Sequence, residues 1–436
     1  MKRLSGLVLV LFLGGTLAVF GSGKKEGNTL KYWMIGNPTT EADQGKPADQ
    51  WYVNQAVKRF EAKTGIKVEV SIFPDQSAFA DKFKAAGIAR NGPDVSGIWG
   101  GSVMFDNKDF ILPLDPYFTA DELSQIASIN AFRYNYKPDG PLLGIPNAVS
   151  NDSLMLFYNK EIFRQAGISD AEIPTDVNSL AAACEKIKKI GVTPIAVGDQ
   201  EGYYSAFMML PLYASASGAQ GIRDIVEGRN TFAQDADFVA AARVYQQMYS
   251  LGYTNPDVVS LNDSAGQTLF ASGKAAMIVT GQWMIAAGYQ LLGDKLGMTK
   301  WIALRPDAKY KGLMVGGPSQ AACVTSYTKN PEQAIQFLKF LMSKEELVQC
   351  ITVGNNSAGS TPFKVVPPDT FKDPFSRMLV DFNKNAPFSV FWLDNQLPQE
   401  VATELYRMSP LLLSSALTVD QYVAKMDEVM KRNILK

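Results

Sequence analysis

The chain has no histidine among its 436 residues. That absence removes the Ser-His-Asp triad, the Cys-His pair, the HExxH zinc site and the imidazole general base. Cysteine is scarce as well. Cys184, Cys323 and Cys350 form an odd set without metal-ligand spacing and read as buried free thiols, with one disulfide plus a leftover thiol as the alternative. Neither sign of charge dominates: 42 Lys and Arg stand against 43 Asp and Glu, a net charge of −1. A nucleic-acid binder would carry a basic surplus, so that class is excluded. There is no P-loop and no GxGxxG after a strand, hence no phosphate cradle. No internal repeat or low-complexity linker interrupts the chain. Beyond residue 21 no stretch is long and apolar enough to span a bilayer.

What is present is ample material for a core. Apolar residues make up 46% and aromatics 11%, the composition of a globular protein of two or three domains. Lys2 and Arg3 precede an apolar run from Leu7 to Phe20, which reads as a signal peptide over 1–21, cleaved before Ser22. The mature chain is therefore expected to be exported. Ser22 stands where a lipid-modified cysteine would follow Val19-Phe20-Gly21, so anchoring would require a cysteine at that position.

Hydrophobic periodicity alternates between 2 and 3.6 residues. Leu30 to Ile35 reads as a short strand. Val53, Ala56, Val57 and Phe60 mark a helix face closed by Gly65. Ile66, Val68, Val70 and Ile72 alternate with polar residues, as in a strand with one wet face. Thr119 and Glu122 form a capping box. Val177, Leu180, Cys184 and Ile187 share one helix face, and Ala334, Phe337, Leu338 and Leu341 another. Ala275 to Val279 is continuously apolar and suits a strand covered on both faces. Repeated strand–helix units predict an α/β protein with parallel sheets. Ligands of such sheets sit beyond the carboxyl ends of strands.

The loops expected there are rich in Trp, Asn, Gln, Gly and Tyr: Trp33 to Asn37, Pro74-Asp75-Gln76, Trp99-Gly100-Gly101 and Gly281-Gln282-Trp283. They hold few cations. Tryptophan beside planar amides suits a neutral sugar, whose C–H face lies on an indole while its hydroxyls meet amides and carboxylates. Trp99, Trp283 and Trp392 are the stacking candidates. Trp51 and Trp301 are assigned to the core.

Several ordered stretches resemble the family 1 extracellular solute-binding proteins, the carbohydrate receptors of ABC importers. They are Phe60-Glu-Ala-Lys-Thr-Gly-Ile-Lys-Val68, Gly92-Pro-Asp-Val95, Leu112-Pro-Leu-Asp-Pro-Tyr117, Gly144-Ile-Pro146, Leu156-Phe-Tyr-Asn-Lys160, Gly273-Lys-Ala-Ala-Met277 and Gly281-Gln-Trp283. Gln200-Glu201-Gly202-Tyr203-Tyr204 and Pro387-Phe-Ser-Val-Phe-Trp392 are similar to site segments of the maltodextrin-binding branch. Where that branch carries an Asp-Lys pair, this chain has Asn37-Pro38. The resemblance implies a periplasmic-binding-protein-like fold: two α/β lobes joined by a three-segment hinge, with the ligand cleft between them. The lobes are expected at 22–148 with 303–345 and at 149–302 with 346–436, the crossings falling near Pro146–Asn151, Ile302–Pro306 and Met342–Glu346. The implied ligand-binding set is Trp33, Asn37, Gln76, Trp99, Asn147, Asn151, Glu201, Tyr203, Gln282, Trp283, Gly317, Asn355 and Trp392. No catalytic residue, metal or cofactor is expected. The implied partners are a neutral oligosaccharide and the transmembrane permease subunits, met by a monomer in the periplasm or another extracytoplasmic space. Two other classes compete. A receptor for iron or a polyamine would need clustered tyrosines with acids, or a more acidic cleft. An exported glycosidase would need two carboxylates roughly 5–9.5 Å apart, and Asp75, Asp94, Glu201 and Asp394 are the candidates.

Overall fold

The computed structural model describes residues 29–35, 47–73, 76–148, 152–352, 361–371, 373–387 and 389–434. Its strands are β1 (Thr29–Ile35), β2 (Lys67–Phe73), β3 (Val95–Trp99), β4 (Ile145–Pro146), β5 (Asp152–Asn159), β6 (Thr193–Ala196), β7 (Ala275–Gly281), β8 (Leu296–Lys300), β9 (Met314–Gly317), β10 (Gln320–Val324) and β11 (Ser389–Val390). They form two sheets. The first has the order β2-β1-β3-β10-β4. In the second, β5 is central, with β7 and then β6 on one flank, and β8, β9 and then β11 on the other.

Local signals explain much of this. The helix Tyr52–Thr64 buries Val53, Ala56, Val57 and Phe60, and ends where Gly65 adopts a left-handed φ of 73°. Thr119 and Glu122 close a capping box at the start of Ala120–Ser124. β7 is buried along its whole length. β5 shows why two-sided burial is needed. Leu154, Leu156 and Tyr158 enter one core with Ile187, Tyr245 and Leu405, while Met155 and Phe157 enter another with Phe270, Ile278 and Leu379. A separate core, built on Leu30, Phe60, Phe83, Ile98 and Phe337, belongs to the first sheet. The three cysteines are buried free thiols.

The sheets are mixed, where the sequence predicts parallel ones. β10 runs antiparallel to β3 and β4, and β5 runs antiparallel to β7, β8 and β9. The cause is topological. β5 and β10 each enter their sheet directly after the chain arrives from the other lobe, so they run away from the cleft. β1, β3, β6 and β7 end at the cleft.

The changes of sheet also differ from expectation at two points. β4 ends in the first sheet and β5 begins in the second, consistent with a first crossing between Pro146 and Asp152. Residues 302–306 do not carry the second crossing. Trp301, Ile302, Leu304 and Leu313 pack in the second lobe, β9 adds to its sheet, and the chain passes to β10 only at Pro318-Ser319. Nor do residues 342–346 carry the third. Leu347, Ile351, Phe363 and Phe371 remain in the first core, and Phe375 is the next core residue in the second lobe. No helix of the described residues is long and apolar enough to cross a membrane.

Candidate functional site

The ends of β6 and β7 present an aromatic surface. Trp283 follows β7 and is 39% exposed, an unusual state for so large an apolar side chain. Its ring lies over Gly281, where a Cβ would stand only 2.0 Å from the indole, so glycine is required there by space. Phe207 adjoins it at 5.8 Å between centroids and also meets Tyr203 at 6.3 Å. Tyr203 packs edge-on to Tyr406 at 5.7 Å. Phe207 and Tyr406 were missed in the sequence; the helical offset of four from Tyr203 to Phe207 was the one available signal.

The loop carrying Glu201 and Tyr203 is held from below by Asp199, which is fully buried. Its Oδ1 accepts the Tyr204 N–H at 2.9 Å, and its Oδ2 accepts the hydroxyls of Tyr245 at 3.0 Å and Ser409 at 2.7 Å. Burial pushes its pKa up to about 7 despite those hydrogen bonds. Gly202 has φ 83°, and a Cβ there would meet the Tyr406 carbonyl oxygen at 2.0 Å. Glu201 is exposed, and its Oε2 accepts the Asp263 N–H at 3.2 Å at the start of the helix Asp263–Ala271. Asp263 is itself pushed up to about 6, chiefly by burial.

The other expected site residues are dispersed. Trp99 ends β3, half-buried against the first core. Trp33 lies inside β1, not after it, and packs at 5.0 Å from Phe73. Asn147 follows β4, where its Nδ2 donates to Gln320 Oε1 at 3.4 Å. Gln76 opens the helix Gln76–Ala89, and its side chain is outside the described part. Asn37, Asn151 and Asn355 lie outside the described residues. Trp392 departs from the expected stacking role: it is 5% exposed in the second core, 6.0 Å from Phe207. Gln282, expected to meet a hydroxyl, is 2% exposed and fully engaged by β5. Both corrections have one cause, because buried neighbours on distant segments occupy these side chains first. Trp301 is a core residue as expected, its Nε1 donating to the Met208 carbonyl at 3.0 Å.

A cavity of about 1160 Å³ opens between the lobes on the opposite flank. Gly316, Gly317 and Phe391 line it from the β9–β11 side, and Asn130, Tyr134 and Tyr136 from the first lobe. Among the described residues, Gly317 is the one sequence-predicted site residue in its wall. Tyr136 donates to the Asn395 carbonyl at 3.1 Å beside it and packs 5.7 Å from Phe391, so the lobes touch there.

Two α/β lobes that exchange the chain repeatedly, with aromatics at the facing strand ends, define a two-lobed solute receptor. The chain belongs to the bacterial extracellular solute-binding proteins, whose family pattern matches residues 55–405. Among relatives, the galactooligosaccharide-binding protein of Bacillus subtilis (strain 168) is 24% identical over 352 residues, covering 78% of this chain and 76% of that one. The maltodextrin-binding protein MdxE of the same organism is 27% identical over 205 residues, 46% of each chain. In fold, a chitin oligosaccharide binding protein superposes with a TM-score of 0.83 at 21% identity, covering 94% of this chain and 99% of that one. The GacH receptor of Streptomyces glaucescens, solved unliganded and with acarbose, superposes with a TM-score of 0.69 at 22% identity over 93% of this chain and 98% of that one.

Proposed function

We propose that this protein is the exported receptor of an ABC importer and takes a neutral oligosaccharide between its lobes. The observation that carries this reading is the exposed Trp283 in an aromatic wall with Phe207 and Tyr203, beside the carboxylate of Glu201. Such a wall pairs an apolar ring face with hydroxyl acceptors. Trp99 and the helix beginning at Gln76 supply the facing side from the first lobe. The names of the oligosaccharide-binding relatives support the same ligand class. Lobe boundaries are drawn from the cores: the described residues within 29–146 and 320–371 make one lobe, and those within 152–317 and 374–434 the other.

Of the other candidate carboxylates, Asp75 lies outside the described residues, and the settings of Asp94 and Asp394 support binding over hydrolysis. Asp94 precedes β3, at the end remote from the cleft, and holds the Lys31 N–H at 2.8 Å and the Thr328 hydroxyl at 2.5 Å. Asp394 is hydrogen-bonded to Tyr406. A second location is favoured by its volume: the cavity of about 1160 Å³ beside Phe391. A thermal-shift screen over neutral mono- and oligosaccharides tests the ligand class, since a ligand of the folded form raises the melting temperature. Repeating the screen with Trp283→Ala and Phe391→Ala identifies the flank. If no sugar shifts the wild type while a polyamine or a metal ion does, the proposal is wrong.

A further inference from the structure

One polar node, buried at Gln282 and Ser319 and half-buried at Asp152, joins the first two of the three chain crossings to both aromatic loops. Asp152 opens β5 directly after the first crossing. Its Oδ1 accepts the Gln282 side-chain N–H at 2.7 Å, and its Oδ2 accepts the Ser319 hydroxyl. Gln282 precedes Trp283. It is clamped further, since its Oε1 accepts the Ser153 N–H at 2.6 Å and its own N–H donates to the Ser153 carbonyl at 3.1 Å. Ser319 lies on the second crossing, and its carbonyl accepts the Gly100 N–H at 2.8 Å. Gly100 adjoins Trp99. The hydrogen bonds therefore run from the Trp99 loop of one lobe, through Ser319 and Asp152, to the Trp283 loop of the other.

We infer that Asp152 is the positioning residue that holds the Trp99 and Trp283 loops in one frame across the hinge. It does not touch a ligand in this role; it acts through Gln282 and Ser319. Among the described residues no cation pairs with it. Its neighbours are Gln282 from the turn after β7, Ser319 from the second crossing, and Gly316 and Gly317 from the paired strand β9. The next polar group is Asn383, which Ser153 reaches at 3.2 Å. Burial with only these neutral donors pushes the Asp152 pKa up to about 6. The closed node therefore holds a proton more readily than an opened, solvated one. Linkage then makes the node tighter on the acid side of that value.

The test is hydrogen exchange of ligand-free protein at single-residue resolution, corrected for intrinsic rates, in wild type, Asp152→Asn and Ser319→Ala. In wild type, protection at Gly100 and at Gln282 should rise together, by about tenfold, between pH 8 and pH 5. Asp152→Asn should remove that tenfold at both amides, leaving only the pH dependence that Asp199 and Asp263 give to unfolding of the second lobe. Ser319→Ala, the milder change, should speed exchange at Gly100 although the carbonyl that Gly100 bonds is untouched. A pH step that is as large in Asp152→Asn as in wild type overturns the inference. So does an effect of Ser319→Ala confined to Gln282 and Ser153. A merely structural carboxylate would lower overall stability without linking the two amides. None of these outcomes requires a sugar, so failure of the sugar-receptor reading would be seen separately, as absent binding of maltotriose and its relatives.

Discussion

Replacing Asp199 by Asn should change how stability depends on pH, and the size of the effect follows from the burial of this carboxyl group. In the folded chain its pKa is about 7, against an ordinary 3.8. Between those values the folded state keeps a proton that the unfolded state has lost. Stability must therefore rise as pH falls from 8 and level off near the unfolded value. At pH 5 the retained proton favours folding by about 2.7 kcal/mol, and at pH 8 by less than about 0.1 kcal/mol. Asp152 and Asp263, each at about 6, add roughly 1.4 kcal/mol apiece over the same range. The Asp199 part alone corresponds to about 5–10 °C in the melting of a lobe of this size. In Asp199→Asn the amide oxygen can still accept from Tyr204, and the NH2 group can donate to the hydroxyls of Tyr245 and Ser409, which are free to rotate. The variant mimics the protonated acid. It should be at least as stable as wild type at pH 8, with roughly half the wild-type slope. Calorimetric melts of both proteins from pH 5 to 8 provide the check. A wild-type melting temperature that is flat or falls on acidification would refute the reasoning, as would an undiminished slope in the variant.

Trp283→Ala should weaken binding of whichever sugar the wild type takes by about 1–3 kcal/mol, roughly 5- to 150-fold in Kd by titration calorimetry, with little loss of melting temperature because the ring is already exposed. Gly202→Ala should destabilise the protein by about 2 kcal/mol or more, since it forces a side chain into left-handed backbone and against the Tyr406 carbonyl; denaturant melts would show it. Arg59→Ala should lower first-lobe stability by about 2–3 kcal/mol, because the guanidinium bonds both oxygens of the buried Glu346 at 2.6 and 2.7 Å; urea unfolding would measure it.

The local layer of this fold was legible in the sequence. The alternation from Ile66 to Ile72 gives a strand whose Lys67, Glu69 and Ser71 are exposed while Val68 is buried. The apolar run of β7 is covered on both faces, and the Thr119–Glu122 pair caps its helix. Such signals depend on neighbours within a few residues. Strand direction did not follow from them, because the reversed course of β5 and β10 comes from where the chain crosses between lobes. The same limit applies to the site. Trp283 and Trp392 both follow strand-like segments with polar neighbours, yet one is exposed and the other buried. Phe207 touches both rings, and the difference is that Trp392 is enclosed in the second core by residues distant in sequence, such as Leu212 and Leu405, whereas Trp283 lies outside it. Gln282 looked like a ligand contact because its type suits hydroxyls. Its partners, Asp152 and Ser153, lie about 130 residues away and could not be paired with it from spacing. Asp199 gave no signal at all, since a buried carboxylate is recognised by the hydroxyls that surround it.

The proposed function has a neutral oligosaccharide bound between the lobes against the wall of Trp283, Phe207 and Tyr203, which a chain of sugars covers more fully than a single ring. Titration calorimetry of the wild type with glucose, maltose, maltotriose and other neutral di- and trisaccharides addresses it directly. At least one oligosaccharide should bind more tightly than its parent monosaccharide, with a negative heat-capacity change from burial of the ring faces. If no neutral sugar binds, or if a monosaccharide binds as tightly as every longer sugar, the account is contradicted.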